Sequence, residues 1–229
     1  MQRKFKYLKP IPIPNPIDLP EWVANKKNLN QTGHISILYL GKIKKEKGIF
    51  DLIEAIPSVI AQYSNVRFII CGSGQINKAR QLCEAPKIQK YVEFPGWVDE
   101  RTKLNFLHQA NILVLPSYYE ELPYAILEGM AAGLAIAASR VGGIPSLIEN
   151  GVNGVLFEPG NISEIARSLN FLIANHEIRM AMGKNNIDKI KDQFSPAKIS
   201  ASFLEVYQTL IMDDHNEKRI ENSRGNYHS

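Results

Sequence analysis

Four consecutive apolar residues, Ile112-Leu-Val-Leu115, end abruptly at Pro116. So short a run without polar alternation marks a strand buried on both faces, as in a parallel sheet covered by helices. A polar turn follows, and Pro123 suits the first position of a helix. On that reading Glu120 lies in the loop before the helix, and Glu128 about a turn and a half inside it. The free backbone N–H groups near Tyr124 and Ala125 open at the helix start, where an anion is favoured. Strand, loop, helix start and two flanking carboxylates suit a ligand with an anionic middle and hydroxyl groups at both ends. A nucleotide sugar has that shape.

From His34 onward, short apolar runs alternate with amphipathic segments. That alternation implies an α/β fold with a doubly wound parallel sheet. Strands are read at Ile35–Leu40, Val66–Cys71, 91–94, Ile112–Leu115, 135–138 and Gly154–Phe157. Helices are read at 49–63, 76–83, from an Asp99 cap to 110, from Pro123, at Ile162–Ala174, and from Ser195-Pro196 to about 212. Gly142-Gly143-Ile144-Pro145 reads as a turn. Pro10, Pro12, Pro14, Pro16 and Pro20 enforce extended backbone in residues 1–33. Residues 213–229 are polar and aperiodic, and are expected to be disordered. The expected organisation is an extended segment 1–33, one domain 34–212 and a tail 213–229.

Composition excludes several classes. The 229 residues can bury a sizeable core, and an apolar fraction of 45% is that of a soluble globular protein. Net charge +4 is mildly basic, compatible with a phosphate ligand or an anionic membrane surface. Cys71 and Cys83 give neither a disulfide framework nor a metal pattern, which makes a reducing cytosol the natural setting. No apolar run has the length of a membrane span, and no hydrophobic segment follows the basic start. The five histidines are scattered; His108 reads as a helix-face residue and His34 as a strand start. Gly72-Ser-Gly74 lacks the third glycine and downstream acid of a dinucleotide fingerprint.

A second constellation, Gly41-Lys-Ile-Lys-Lys-Glu-Lys-Gly48, closes the first strand. Parallel sheets bind ligands beyond the carboxyl ends of their strands, so this loop and the Glu120 loop can face one crevice. If the ligand is a nucleotide sugar, charge grows on its diphosphate as the bond to the sugar breaks. Two lysines and a helix N-terminus can stabilise that charge without a metal, and the chain has no Asp-x-Asp pair to hold one. A solvated basic loop has the same composition; the neighbouring Glu120 motif favours the phosphate reading.

Glu120 and Glu128 have seven residues between them, within Pro-Ser-Tyr-Tyr-Glu and Leu-Pro-Tyr-Ala-Ile-Leu-Glu-Gly-Met-Ala-Ala-Gly. This stretch resembles the E-x7-E motif of retaining glycosyltransferases of the GT-B fold, family 4 (glycosyl transferases group 1). The Gly41 to Gly48 loop is similar to that family's Gly-Arg-x5-Lys-Gly phosphate clamp, with Lys42 at the usual arginine and Lys47 at the lysine. Lysine keeps the charge but loses the bidentate fork. Phe94-Pro-Gly-Trp-Val98 resembles the segment that holds the nucleotide base in relatives, while Trp97 reads equally as packing. Gly142-Gly143 resembles the family's glycine turn. Glu121 and Ser146 depart from it, where glycine and glutamate are usual. The resemblance covers residues 11–212.

The resemblance implies the Rossmann-like C-terminal, donor-binding half of a GT-B glycosyltransferase, with residues 11–19 similar to the crossover between its two domains. The chain is then expected to begin at the crossover, to lack the acceptor half, and to bind donor without transferring sugar alone. The implied activity is sugar transfer from a nucleoside diphosphate sugar with retention, in cell-surface polysaccharide or glycolipid synthesis. Glu120 would contact the sugar hydroxyls and Glu128 the ribose. Lys42 and Lys47 would hold the diphosphate, with Gly41, Leu122, Pro123 and Tyr124 completing the cradle. Gly96 and Val98 would meet the base. Catalysis would rest on Glu120, Lys42 and Lys47 with no metal or cofactor. Glu120 is poorly suited to be a covalent nucleophile, so retention would come from attack on the leaving-group face with a phosphate oxygen as base. The implied partners are the nucleotide sugar, a saccharide or lipid-linked acceptor, and a separate N-terminal half or a second copy, but no nucleic acid. The implied location is the cytoplasm, peripheral to the inner face of the membrane. Three alternatives stand beside this: a non-catalytic nucleotide-sugar-binding module or truncated remnant, a nicotinamide- or flavin-binding domain, and a sugar-nucleotide epimerase.

Overall fold

A computed structural model describes residues 16–17 and 33–225. Six strands form one parallel sheet: β1 (Ile35–Leu40), β2 (Val66–Cys71), β3 (Val92–Gly96), β4 (Ile112–Leu115), β5 (Ala135–Ser139) and β6 (Gly154–Phe157). Their order across the sheet is β3-β2-β1-β4-β5-β6, so the winding reverses between β1 and β4. The register carries Leu38 beside Ile69 on one side and Leu113 on the other. Ile136 continues the row from Leu113 to Gly154. All of β4 is buried, because helices cover both sheet faces. This is the expected doubly wound α/β fold.

Among the described residues, eight α-helices accompany the strands: α1 (Ile49–Ile60), α2 (Ile76–Leu82), α3 (Glu100–Gln109), α4 (Tyr124–Ala131), α5 (Ile144–Leu147), α6 (Ile162–Ala174), α7 (His176–Lys189) and α8 (Pro196–Gly225). Parallel crossovers are right-handed, so the reversal at β1 and β4 puts α1 and α2 on one face and α3 and α4 on the other. The apolar face of α1, built on Leu52, Ile53, Ile56 and Val59, is buried in the core, and α1 packs against α6 and α2. Among the described residues, no helix is long and apolar enough to cross a membrane.

Several local expectations need correction. Pro123 is the cap of α4 rather than its first residue: its φ of −71 suits a helix, but its ψ of 117 is extended. Proline restricts φ and leaves ψ to the surroundings. Helix α1 ends at Ile60, and residues 61–62 form a turn. The Gly142-Gly143 turn leads into the single helical turn α5.

Helix α7 has no counterpart in the sequence reading. It buries polar side chains instead of an apolar stripe. Asn186 donates to the carbonyls of Leu134 and Asn153 at 2.8 Å, and Arg179 donates to those of Leu172 and Ile173. Helix α8 continues past 212 to Gly225, and no proline or glycine interrupts residues 213–224. Most of the 1–33 segment, and residues 226–229, lie outside the described residues. Where described, the segment meets the domain through Ile17, which packs on the core and whose N–H donates to Phe194 O at 2.9 Å, and through Pro16 O, which accepts from Tyr124 Oη at 3.2 Å.

Candidate functional site

The reversal between β1 and β4 leaves a crevice beyond their carboxyl ends, because their connections leave in opposite directions. Two loops face it. The first follows β1 and is anchored by Ile43, which is fully buried and whose N–H donates to Ser73 O at 2.8 Å. The loop ends at Gly48, with φ +65, where a Cβ would lie 1.9 Å from Pro116 O. Only glycine fits there, since the left-handed backbone and the contact both exclude a side chain. The second loop runs from Pro116 to Pro123, and its Tyr118 N–H donates to Glu46 O at 3.0 Å. The two loops are therefore fastened by backbone.

Glu120 is held from three sides. Lys47 Nζ donates to its Oε1 at 2.6 Å, and Ser117 Oγ donates to the same oxygen at 2.8 Å. Ser117 is fully buried, and its carbonyl accepts from the Ser139 hydroxyl at the end of β5. Behind the loop, Gly143 N–H donates to Glu120 O at 3.2 Å. A Cβ on Gly142 would lie 1.7 Å from Glu120 O, and one on Gly143 1.8 Å from Glu121 O. The glycine turn is thus a clamp on the backbone of the Glu120 loop. From β1 itself, the Tyr39 hydroxyl donates to Lys42 O at 2.8 Å. Burial pushes its pKa far above the ordinary range, and the Glu120 charge pushes it further, so the phenol remains a donor.

Gly41, Lys47, Glu120, Pro123, Tyr124 and Ala125 line a cleft of about 130 Å³ together with the strand ends Leu40 and Leu115. The first N–H groups of α4 have no acceptor within the helix and favour an anion at that end. One ammonium, one carboxylate and one helix start converge on one space. That arrangement can hold an anionic group beside hydroxyl groups.

Other expected residues lie around this cleft. Lys42 is exposed at the start of the first loop, outside the cleft lining. Leu122 is half-buried against the core just before the Pro123 cap. Glu128 is on α4, one turn from Tyr124, and accepts from Lys103 Nζ at 2.6 Å. Gly96 ends the edge strand β3, and Val98 follows it. Gly96 O accepts from Gly72 N–H at 2.7 Å, and Val98 packs on the core. Trp97 is 75% exposed, so it is not a packing residue of this domain.

Sequence reasoning missed Ser117, Ser139 and Lys103. Ser117 was the most accessible of these, since it lies three residues before Glu120 in the same loop. Ser139 and Lys103 come from other elements, and only the sheet order brings them near.

Comparison with known proteins gives a concordant picture. Residues 21–189 match the family of glycosyl transferases group 1. The chain is 30% identical over 176 residues to an uncharacterized glycosyltransferase of Methanocaldococcus jannaschii, a match covering 76% of this chain and 45% of that protein. Its fold superposes on sucrose-phosphate synthase from Thermosynechococcus elongatus with a TM-score of 0.74 and 24% identity, covering 88% of this chain and 52% of the other. HepE from Anabaena, in complex with UDP, superposes with a TM-score of 0.72 and 21% identity, covering 81% and 53%. The chain spans about half the length of the curated relatives it matches. A family match across most of the chain, carried on the Rossmann-like fold of the C-terminal domain of GT-B glycosyltransferases, shows that this chain belongs to the glycosyl transferases group 1 family.

Proposed function

We propose that this chain is the donor-binding domain of a retaining family 4 glycosyltransferase. It transfers a sugar from a nucleoside diphosphate sugar to a saccharide or lipid-linked acceptor in polysaccharide or glycolipid synthesis, without a metal ion. The observation that carries the reading is the convergence of Lys47, Glu120 and the start of α4 on one cleft at the β1/β4 reversal. The complex of the structurally similar HepE with UDP supports it.

In this reading the diphosphate lies against Lys47 and the N–H groups of α4, with Lys42 as a second cation. An ammonium has three donors, so Lys47 can keep Glu120 and still meet a phosphate oxygen. Glu120, fixed by Ser117, accepts from sugar hydroxyls, and Glu128 accepts from ribose hydroxyls. Gly41, Leu122, Pro123 and Tyr124 complete the cradle, and Gly96 and Val98 meet the base. The bond from the anomeric carbon to the phosphate oxygen breaks as the bond to the acceptor oxygen forms on the same face. The acceptor proton passes to the departing phosphate oxygen. Fixed positive charge beside that oxygen stabilises the transition state more than the ground state. The acceptor-facing wall is supplied by another domain or another chain, and the reaction takes place in the cytoplasm at the inner face of the membrane.

The test, made with the chain joined by a domain that supplies the acceptor wall, is transfer from α-linked UDP and GDP sugars to a panel of saccharide and lipid acceptors, with chelator present, read by NMR of the product's anomeric carbon. An α-linked product is expected. A β-linked product would overturn retention, and transfer that requires added magnesium would overturn the metal-free reading.

A further inference from the structure

Glu128 lies four residues after Tyr124 on α4, and residues at that spacing share a helix face. Tyr124 lines the cleft, so Glu128 stands one turn beyond that lining on the same side of α4. Its carboxylate is met from a different helix. Lys103 Nζ on α3 donates to Glu128 Oε1 at 2.6 Å and pairs with Glu100 Oε2 at 2.7 Å. The Lys103 and Glu128 side chains are only 21% and 19% exposed, whereas Glu100 is 72% exposed. An exposed pair contributes little because water replaces either partner. In a mostly covered pair, removing one member leaves the other charge poorly solvated.

Helix α3 starts directly after the Gly96-Trp-Val98 loop, where Asp99 caps it by accepting from Thr102 N–H at 2.8 Å. Lys103 thus ties the helix behind that loop to the carboxylate on α4. Two carboxylates around one ammonium leave a net negative cluster, which suits hydroxyl donors rather than phosphate. A carboxylate also offers about four acceptor positions on its two oxygens, so one lysine leaves room for two hydroxyls. Burial lowers the Lys103 pKa, but its hydrogen bonds to Glu100 and Glu128 more than offset this, and the ammonium stays charged.

We propose that Lys103 is a positioning residue of the nucleotide site, holding the Glu128 carboxylate where it accepts the two hydroxyls of the nucleotide's ribose. The inference rests on the nucleotide-sugar reading given above. It explains why a lysine from α3 is spent on a carboxylate of α4 at the edge of the cleft, 25 residues away in sequence.

Calorimetric titration of the full chain with UDP, GDP and ADP, and with the 2′-deoxy form of the tightest binder, tests it. The wild type is expected to favour the ribose form by about tenfold, the value of one good hydrogen bond. Lys103→Met is expected to bring that ratio close to one while largely keeping affinity for the deoxy form, and Lys103→Arg to restore it. Lys103→Gln serves the same purpose should the methionine variant fail to fold. General loosening of the domain would weaken both ligands together and leave their ratio unchanged. An unchanged ratio in folded variants overturns the role of Lys103 while leaving the nucleotide site intact. A wild type that binds both sugar forms equally also overturns it. Failure of the wild type to bind any of these diphosphates overturns the nucleotide reading itself and the inference with it.

Discussion

Lys47 Nζ lies 2.6 Å from Glu120 Oε1, although the two residues are 73 positions apart in the chain. The pair spans the two loops that leave β1 and β4, and so bridges the point where the sheet reverses its winding. Both side chains are largely covered, at 26% and 11% exposure. A pair so placed is costly to break on one side only, because the remaining charge keeps its burial and loses its partner.

Lys47→Ala is therefore expected to weaken nucleoside diphosphate binding by about 1.5–3 kcal/mol, the range for a charge-assisted hydrogen bond. That is roughly a ten- to hundredfold loss. Isothermal calorimetry reads it directly, and an unchanged affinity would reduce the first loop to a solvated run of charge.

The two glutamates are expected to separate by ligand. Glu128→Gln weakens free nucleoside diphosphate and nucleotide sugar alike, because the ribose is common to both. Glu120→Gln weakens the sugar conjugate selectively, by about tenfold for one lost charge-assisted hydrogen bond. Competition binding with both ligands checks this, and equal losses on free diphosphate would contradict the assignment.

Gly48→Ala is expected to destabilise the domain. The residue has φ +65, and its new Cβ would fall 1.9 Å from Pro116 O, a backbone atom of the other loop. Left-handed backbone alone costs an alanine about 1–2 kcal/mol, and the displaced loop adds to that. A loss of about 2 kcal/mol lowers the melting temperature of a domain of this size by roughly 4–8 °C. Differential scanning calorimetry measures it, and a melting temperature within a degree of wild type would refute the loop-fastening role.

Much of this site can be read in the sequence because its signals are local. Pro116 and Pro123 bracket the Glu120 loop, and Lys47-Gly48 closes the other. The short apolar runs show a parallel sheet, and ligands bind at the carboxyl ends of such sheets. The rest is not local. That Lys47, and not Lys42, lines the cleft depends on how the Gly41 to Gly48 loop turns. The Ser139 and Lys103 contacts depend on strand order. Helix α7 was invisible because periodicity reports apolar burial, and this helix buries Arg179 and Asn186.

Both cysteines are expected to be inert in the folded protein. Burial pushes the Cys71 thiol up to about 12, helped by the Glu93 charge, and pushes Cys83 up to about 11. In the unfolded chain a thiol ionises near its ordinary value of about 8.5. Above that pH the unfolded state has lost thiol protons that the folded state retains, so stability falls as pH rises towards 11. Ellman's reagent at pH 8 is expected to leave both thiols unmodified in native protein and to label both in urea. Rapid labelling without denaturant would contradict their burial, which leaves each only 1% exposed.

The cleft at the β1/β4 reversal is tested most directly by calorimetric titration of the wild-type chain with UDP, GDP and ADP in excess EDTA. Saturable one-site binding of at least one diphosphate is expected, abolished or strongly weakened in Lys47→Ala and unaffected by added magnesium. No binding of any of the three, or binding that appears only when magnesium is supplied, would contradict a metal-free donor site built on Lys47, Glu120 and the start of α4.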